Sequence, residues 1–278
     1  MEVIPYLPFE PDLHLPADDV RAILRISRET CEMGEEFTLR AEHYLKGICK
    51  LIGAQVALFS QLQGYAPGQK WNIQPILDFG WNTKSERTTF MSFFAGDQMS
   101  DPLTPRCVYL KDSVATASRR CLVDDTVWYK SGNVKELREP AHLDDCIYSH
   151  FHLRKTGFAM GMAFHRALGD RPFSSRERLI VHLMHQHNPL YGPNFVPPAA
   201  MTAIPRRMQQ VLSLLKRGFS EKETAECLRI SKHTVHVYVK KLYTHFSVCS
   251  RSELLSLWVN NGHLNNPKPD MPNQLDGE

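Results

Sequence analysis

The chain has 278 residues, 42% of them hydrophobic and 23% charged, with a formal net charge of +3; this is the make-up of an ordinary globular protein of about two domains, and it excludes a disordered, fibrous or single-module reading. The start, Met1-Glu2-Val3-Ile4-Pro5, has no basic leader, and the longest apolar stretch, 157–164, falls far short of the roughly 18 residues of a membrane span, so a cytoplasmic protein without membrane contact is expected. The 7 cysteines are scattered and form no C-x-x-C, which reads as reduced thiols and excludes a disulfide framework or a zinc ribbon.

In chain order, residues 5–16 are proline-rich and predict an irregular arm. Residues 19–33 and 36–52 carry apolar side chains at helical spacing, with Gly34 and Gly53 as stops. Ala54 to Leu62 and Trp71 to Trp81 flank a Gly-Tyr-Ala-Pro-Gly turn, which predicts a hairpin. Phe158 to Ala167 predicts a central strand with Phe158, Met160, Met162 and Phe164 on one face and Ala159, Gly161, Ala163 and His165 on the other, the small residues permitting close packing. Ser174 and Glu177 form a capping box that opens a helix from about 175 to 187. An α+β domain follows, about 18–187, with an antiparallel sheet flanked by helices. At the level of fold it resembles the PAS and GAF sensor domains.

Residues 188–200 hold prolines 189, 193, 197 and 198, which no helix or central strand crosses, and predict a linker. Before it the charge nearly cancels, with 22 basic against 23 acidic residues from 1 to 200; from 201 to 263 the count is 10 against 4. A basic segment beside a neutral body fits a nucleic-acid-binding appendage. The polar end, 264–278, reads as a disordered tail.

Four helices are predicted inside 201–263. Met208, Val211, Leu212 and Leu215 mark the first, closed by Gly218; Ser220 with Glu223 caps the second; Ser231 caps a third that reaches about Phe246; Ser250 with Glu253 caps a fourth. The second and third, joined by Arg229-Ile230, read as helix-turn-helix in an all-α domain. On the third, Val235, Val239, Leu242 and Phe246 share one face, within about 40° at 100° per residue. Opposite lie His233, His236, Val237, Lys240, Lys241 and Thr244, a basic face whose exposed valine suits a thymine methyl. On the fourth, Leu254, Leu255, Leu257 and Trp258 span too wide an arc for one small core, so part of that surface is expected to meet a second copy.

Ser220 to Tyr238, with Gly218, Val248, Arg251, Glu253 and Leu254, resembles the LuxR-type helix-turn-helix signature. Arg206-Arg207-Met208-Gln209-Gln210 replaces its usual acidic opening, and Thr224, Tyr238, His245 and Phe246 replace its Ile, His, Lys and Leu. The resemblance implies a transcription regulator bound to double-stranded DNA as a homodimer. By it, His236, Val237 and Lys240 meet bases in the major groove. Lys222, Lys232, Thr234, Tyr238, Lys241 and Arg251 lie near the DNA backbone, and Leu254, Leu257 and Trp258 make the dimer contact. Residues 122–131 and 169–174 resemble the sensor halves of such regulators, which implies a small-molecule effector.

Other chemistry is weaker. His182, His185 and His187 sit on one helix without converging on a metal, so surface or core-edge roles are expected, with His187 beside Leu179 and Leu183. Cys146 with His142, His150 and His152 offers a Cys/His pair without supporting spacing. Asp78 reads as a turn residue, since the acidic pair and terminal Lys of a phosphorylation receiver are missing. No phosphate-binding, dinucleotide or hydrolase motif occurs, and a protein without cofactor, metal or catalytic residues is expected. An enzyme tethered to DNA by its helix-turn-helix is the alternative.

Overall fold

The computed structural model describes residues 9–34, 36–63, 72–107, 114–153, 158–191, 204–246 and 248–259. The chain divides into two units, Met1–Tyr191 and Gly192–Glu278. In the first, helices α1 (Ala17–Glu32) and α2 (Phe37–Ile52) precede strands β1 (Val56–Gln63) and β2 (Asn72–Phe79). Then come α3 (Lys84–Met91), the short α4 (Thr104–Cys107), β3 (Val114–Ser118), α5 (Arg119–Leu122), α6 (Asp125–Lys130), β4 (Leu143–Leu153), β5 (Phe158–Ala167) and α7 (Ser175–Gln186). A single π-helical turn, Val134–Arg138, lies between α6 and β4.

The five strands form one antiparallel sheet in the order β2-β1-β5-β4-β3, with β5 at its centre. The sequence predicts β1, β2 and β5 and leaves out β3, β4 and the short helices between the hairpin and β5. The expected turn, 64–68, and linker residues 192–200 lie outside the described residues. The linker begins later than 188, because Leu190 is buried and the Tyr191 ring stacks on Phe151, 5.1 Å between centroids.

One face of the sheet packs against α2 and α7, and α1 lies on these two helices. Tyr44 of α2 donates to the Met184 carbonyl of α7 at 2.5 Å, and His185 of α7 meets Ser149 of β4 at 2.7 Å. His185 is therefore core, not core edge, while His187 is exposed rather than packed with Leu179 and Leu183. The other face carries Val56, Leu58, Leu62, Cys146, Ala159 and Ala163 beneath Phe90, Leu103 and Trp128. Asp78 lies in β2 rather than in a turn; its carboxylate accepts from Trp81 Nε1 at 2.7 Å and twice from Arg87, pinning α3 to the strand.

The second unit holds α8 (Arg206–Lys216), α9 (Glu221–Leu228), α10 (Lys232–Phe246) and α11 (Arg251–Val259). Gly218 closes α8 at φ +88°, a conformation that costs other residues about 1–2 kcal/mol. The Ser220–Glu223 capping box forms in both directions. Met208, Val211, Leu212, Leu215, Val235, Val239, Leu242 and Leu254 make its core. Residues 264–278 lie outside the described residues. Among the described residues no helix is long and apolar enough to cross a membrane.

Candidate nucleic-acid interface and buried cavity

Helix α10 owes its orientation to its apolar stripe. Val235, Val239, Leu242 and Phe246 are buried, which turns the rest of the helix outward. Ser231 starts it by accepting from the Thr234 amide at 3.0 Å. The turn before it is set by Arg229 in the left-handed region, φ +51°, which lets the Ile230 amide reach the Ala225 carbonyl.

This geometry leaves His236, Val237, Lys240 and Lys241 exposed on one side of α10, and Lys232 exposed at its start. Val237 is 36% exposed, the one exposed large hydrophobic side chain in the unit among the described residues. His236 Nδ1 lies 3.3 Å from Glu221 Oε2 of α9, so the ring is oriented from the neighbouring helix. Thr234 and Tyr238 are half-buried at the edges of this face, and Lys222 is exposed on α9. Cationic groups flanking one exposed helix face can neutralise phosphates while the face itself meets base edges.

Two expected residues are otherwise engaged. The Arg251 guanidinium donates to the Phe219 carbonyl at 2.7 Å and the Leu215 carbonyl at 3.4 Å, which ties α11 to the end of α8. A cation fits there because the last carbonyls of a helix are the negative end of its dipole. Leu254 is fully buried within the four-helix unit and offers no surface to a second copy. Leu255 and Leu257 are half-buried, and the Trp258 side chain lies outside those described.

In the first unit, the sheet face turned away from α7 encloses a cavity with about 50 Å³ open to the centre of a water-sized sphere, room for about four waters or one small ring compound. Leu58, Ser60 and Leu62 of β1, Tyr148 and His150 of β4, and Gly161 and His165 of β5 line the sheet side. Phe90, Phe93 and Phe94 form the aromatic side. The small residues of β5 permit close packing, as expected: a Cβ on Gly161 would come within 2.8 Å of Leu62 and 2.9 Å of Ser60.

Charge near the cavity is compensated. Arg138 donates to Asp101 at 2.7 Å and to the Tyr148 hydroxyl at 2.8 Å. Burial holds the His150 imidazole down at about 3, with His152 adding to the effect. Burial first, and Arg138 second, hold His165 well below its ordinary value. Both rings are thus neutral. Burial also pushes the Cys146 thiol up to about 12, the opposite of what a nucleophile requires, and the Cys/His pair is set aside. The sequence missed this cavity because its polar members lie on β4, which was not predicted, and on the small-residue side of β5.

Residues 204–258 match the family model of bacterial regulatory proteins, luxR family. No curated protein matches the chain. Among solved structures, SdiA in complex with octanoyl-rac-glycerol is 13% identical, with a TM-score of 0.41 over 91% of this chain and 99% of that one. A crystal structure of Escherichia coli SdiA is 11% identical, with a TM-score of 0.41 over 89% of this chain and 99% of that one. The second unit is a LuxR-family helix-turn-helix domain.

Proposed function

We propose that the chain is a cytoplasmic transcription regulator that binds specific double-stranded DNA sequences through α10 and carries a small-molecule sensor in its first unit. The observation that carries this reading is the outward face of α10, basic and with one exposed valine, inside a domain of the LuxR family. His236, Val237 and Lys240 read bases. Lys222, Lys232, Thr234, Tyr238 and Lys241 hold phosphates. Selection of bound sequences from a random duplex pool tests the reading, and recovery of no consensus would end it. Affinity for the selected site should fall steeply with salt, and Lys241→Gln should reduce the slope by about 1 while leaving the preference intact.

The sensor role is supported by the cavity and involves no catalytic step. A molecule that binds there should be recovered unaltered, and a changed product would favour an enzyme tethered to DNA. Two half-sites multiply effective affinity, so the working form is a homodimer on a near-palindrome, with Leu257 on its contact. Leu257→Asp should then weaken binding to two half-sites far more than to one. Equal losses on both probes would remove α11 from the contact.

A further inference from the structure

The sheet that walls the cavity also holds the end of the first unit. Gly161 of β5 pairs with Ser60 of β1 on one side and with His150 of β4 on the other, and all three line the cavity. Side chains alternate between the faces of a sheet, so the residues next to this rung point the opposite way. Two of them, Phe59 of β1 and Phe151 of β4, stack on the Tyr191 ring, 6.3 and 5.1 Å between centroids. A third, Ser149, holds His185 Nδ1 at 2.7 Å, and Nε2 of the same imidazole lies 3.1 Å from the Tyr191 hydroxyl. Tyr191, the last residue of the first unit, is thus fixed from behind by the strands that the cavity touches from the front.

Asn188 to Tyr191 are tied down together. The Leu190 amide donates to Asn188 Oδ1 at 2.9 Å and the Tyr191 amide to the Asn188 carbonyl at 3.1 Å, while the Pro189 carbonyl accepts from Arg40 Nη2 at 3.0 Å. The rung itself has room to bend, because the pairing of β1 with β2 shifts between Phe59 and Ser60, and such an irregularity disrupts the ladder locally. A close-packed interior passes a displacement on rather than absorbing it. Given the sensor reading, on which this rests, we propose that Tyr191 is the output of the sensor. A molecule that enters the cavity moves the rung of Ser60, Gly161 and His150; the Phe59 and Phe151 rings follow; and the catch on Tyr191, from which the linker departs, loosens.

Xenon, which enters small cavities, probes the catch in the full-length protein without presuming a natural effector. Under xenon pressure the methyl resonances of Leu58 and Leu62 in the cavity wall should shift, the Tyr191 ring resonances should shift with them, and the Leu190 and Tyr191 amides should exchange faster. Phe151→Leu removes one ring of the stack from the far face of the sheet. In that variant xenon should still shift the Leu58 and Leu62 methyls and leave the exchange of Leu190 and Tyr191 unchanged. Methyl shifts in the unsubstituted protein with no response at Tyr191 would overturn the catch and leave the sensor reading standing. No response at either place would overturn both. A reciprocal measurement does not depend on the folding of Phe151→Leu: if filling the cavity loosens Tyr191, a chain whose Tyr191 is already released must fill more readily. Tyr191→Ala should therefore bind xenon more tightly than the unsubstituted protein, and equal affinity would overturn the proposal.

Discussion

Arg166 of the central strand and Glu177 of α7 meet with Nη2 and Oε1 2.7 Å apart, and both are almost fully buried. The same guanidinium donates to the Ile52 and Gly53 carbonyls at the end of α2, so one side chain joins β5, the C-terminus of α2 and the first turn of α7. Each helix end meets the charge its dipole favours. Glu177 accepts in addition from Arg171 and from the Ser174 amide.

Acid should therefore loosen α7 before it affects most of the sheet. Burial alone would raise the Glu177 carboxyl, but the hydrogen bonds from Arg171, Ser174 and Arg166 outweigh it and hold the group down at about 2, against an ordinary 4.5. A depressed carboxyl stabilises the fold fully above its ordinary value, and that stability is lost as pH falls from about 4.5 towards 2, on the order of 3 kcal/mol. Amide exchange of α7 should quicken across this window. Glu177→Gln should already exchange faster at pH 6 and change less with acid; an unchanged acid dependence in the variant would remove Glu177 from the cause.

The helices of the second unit were legible because each signal is local. Ser220, Gly218 and Ser231 set their boundaries within a turn of chain, and the stripe from Val235 to Phe246 buries one face while the other stays wet. Strand β4 was not legible, because both its faces are covered by protein and no apolar and polar alternation develops. Its polar side chains find buried partners instead: Ser149 meets Thr116 at 2.6 Å, and Asp145 accepts from the Phe173 amide at 2.7 Å. A register shift between Leu143 and Cys146 breaks the period further. The role expected of Leu254 failed for a related reason. An arc of apolar residues shows that a helix has too much to bury, not which member faces the core.

The turn between α9 and α10 carries strain that a single substitution can relieve. Arg229 sits at φ +51°, where a side chain costs about 1–2 kcal/mol and glycine almost nothing. Glycine also gains freedom in the unfolded chain, so Arg229→Gly should stabilise the second unit by less than that, up to about 1 kcal/mol. Arg229→Ala removes the same charge without relieving the conformation and should gain nothing. Amide exchange of α9 and α10 reads the difference; equal protection in the two variants would show that the turn is unstrained.

On the proposed reading, in which His236 meets a base, its pairing with Glu221 sets which base the ring can read. A carboxylate only accepts, so the 3.3 Å contact places the proton of the neutral ring on Nδ1 and leaves Nε2 as an acceptor. In the major groove an acceptor pairs with the amino group of adenine or cytosine. The base pair whose preference disappears on His236→Ala should therefore present A or C to this position. Glu221→Gln supplies an amide that either donates or accepts, so the ring is free to take its other tautomer and to meet guanine or thymine as well. Preference at that one base pair should fall by about 1 kcal/mol, at the low end of a base contact, with neighbouring positions unaffected. A preference for guanine in the parent, or an unchanged preference in Glu221→Gln, would show that the carboxylate does not set the tautomer.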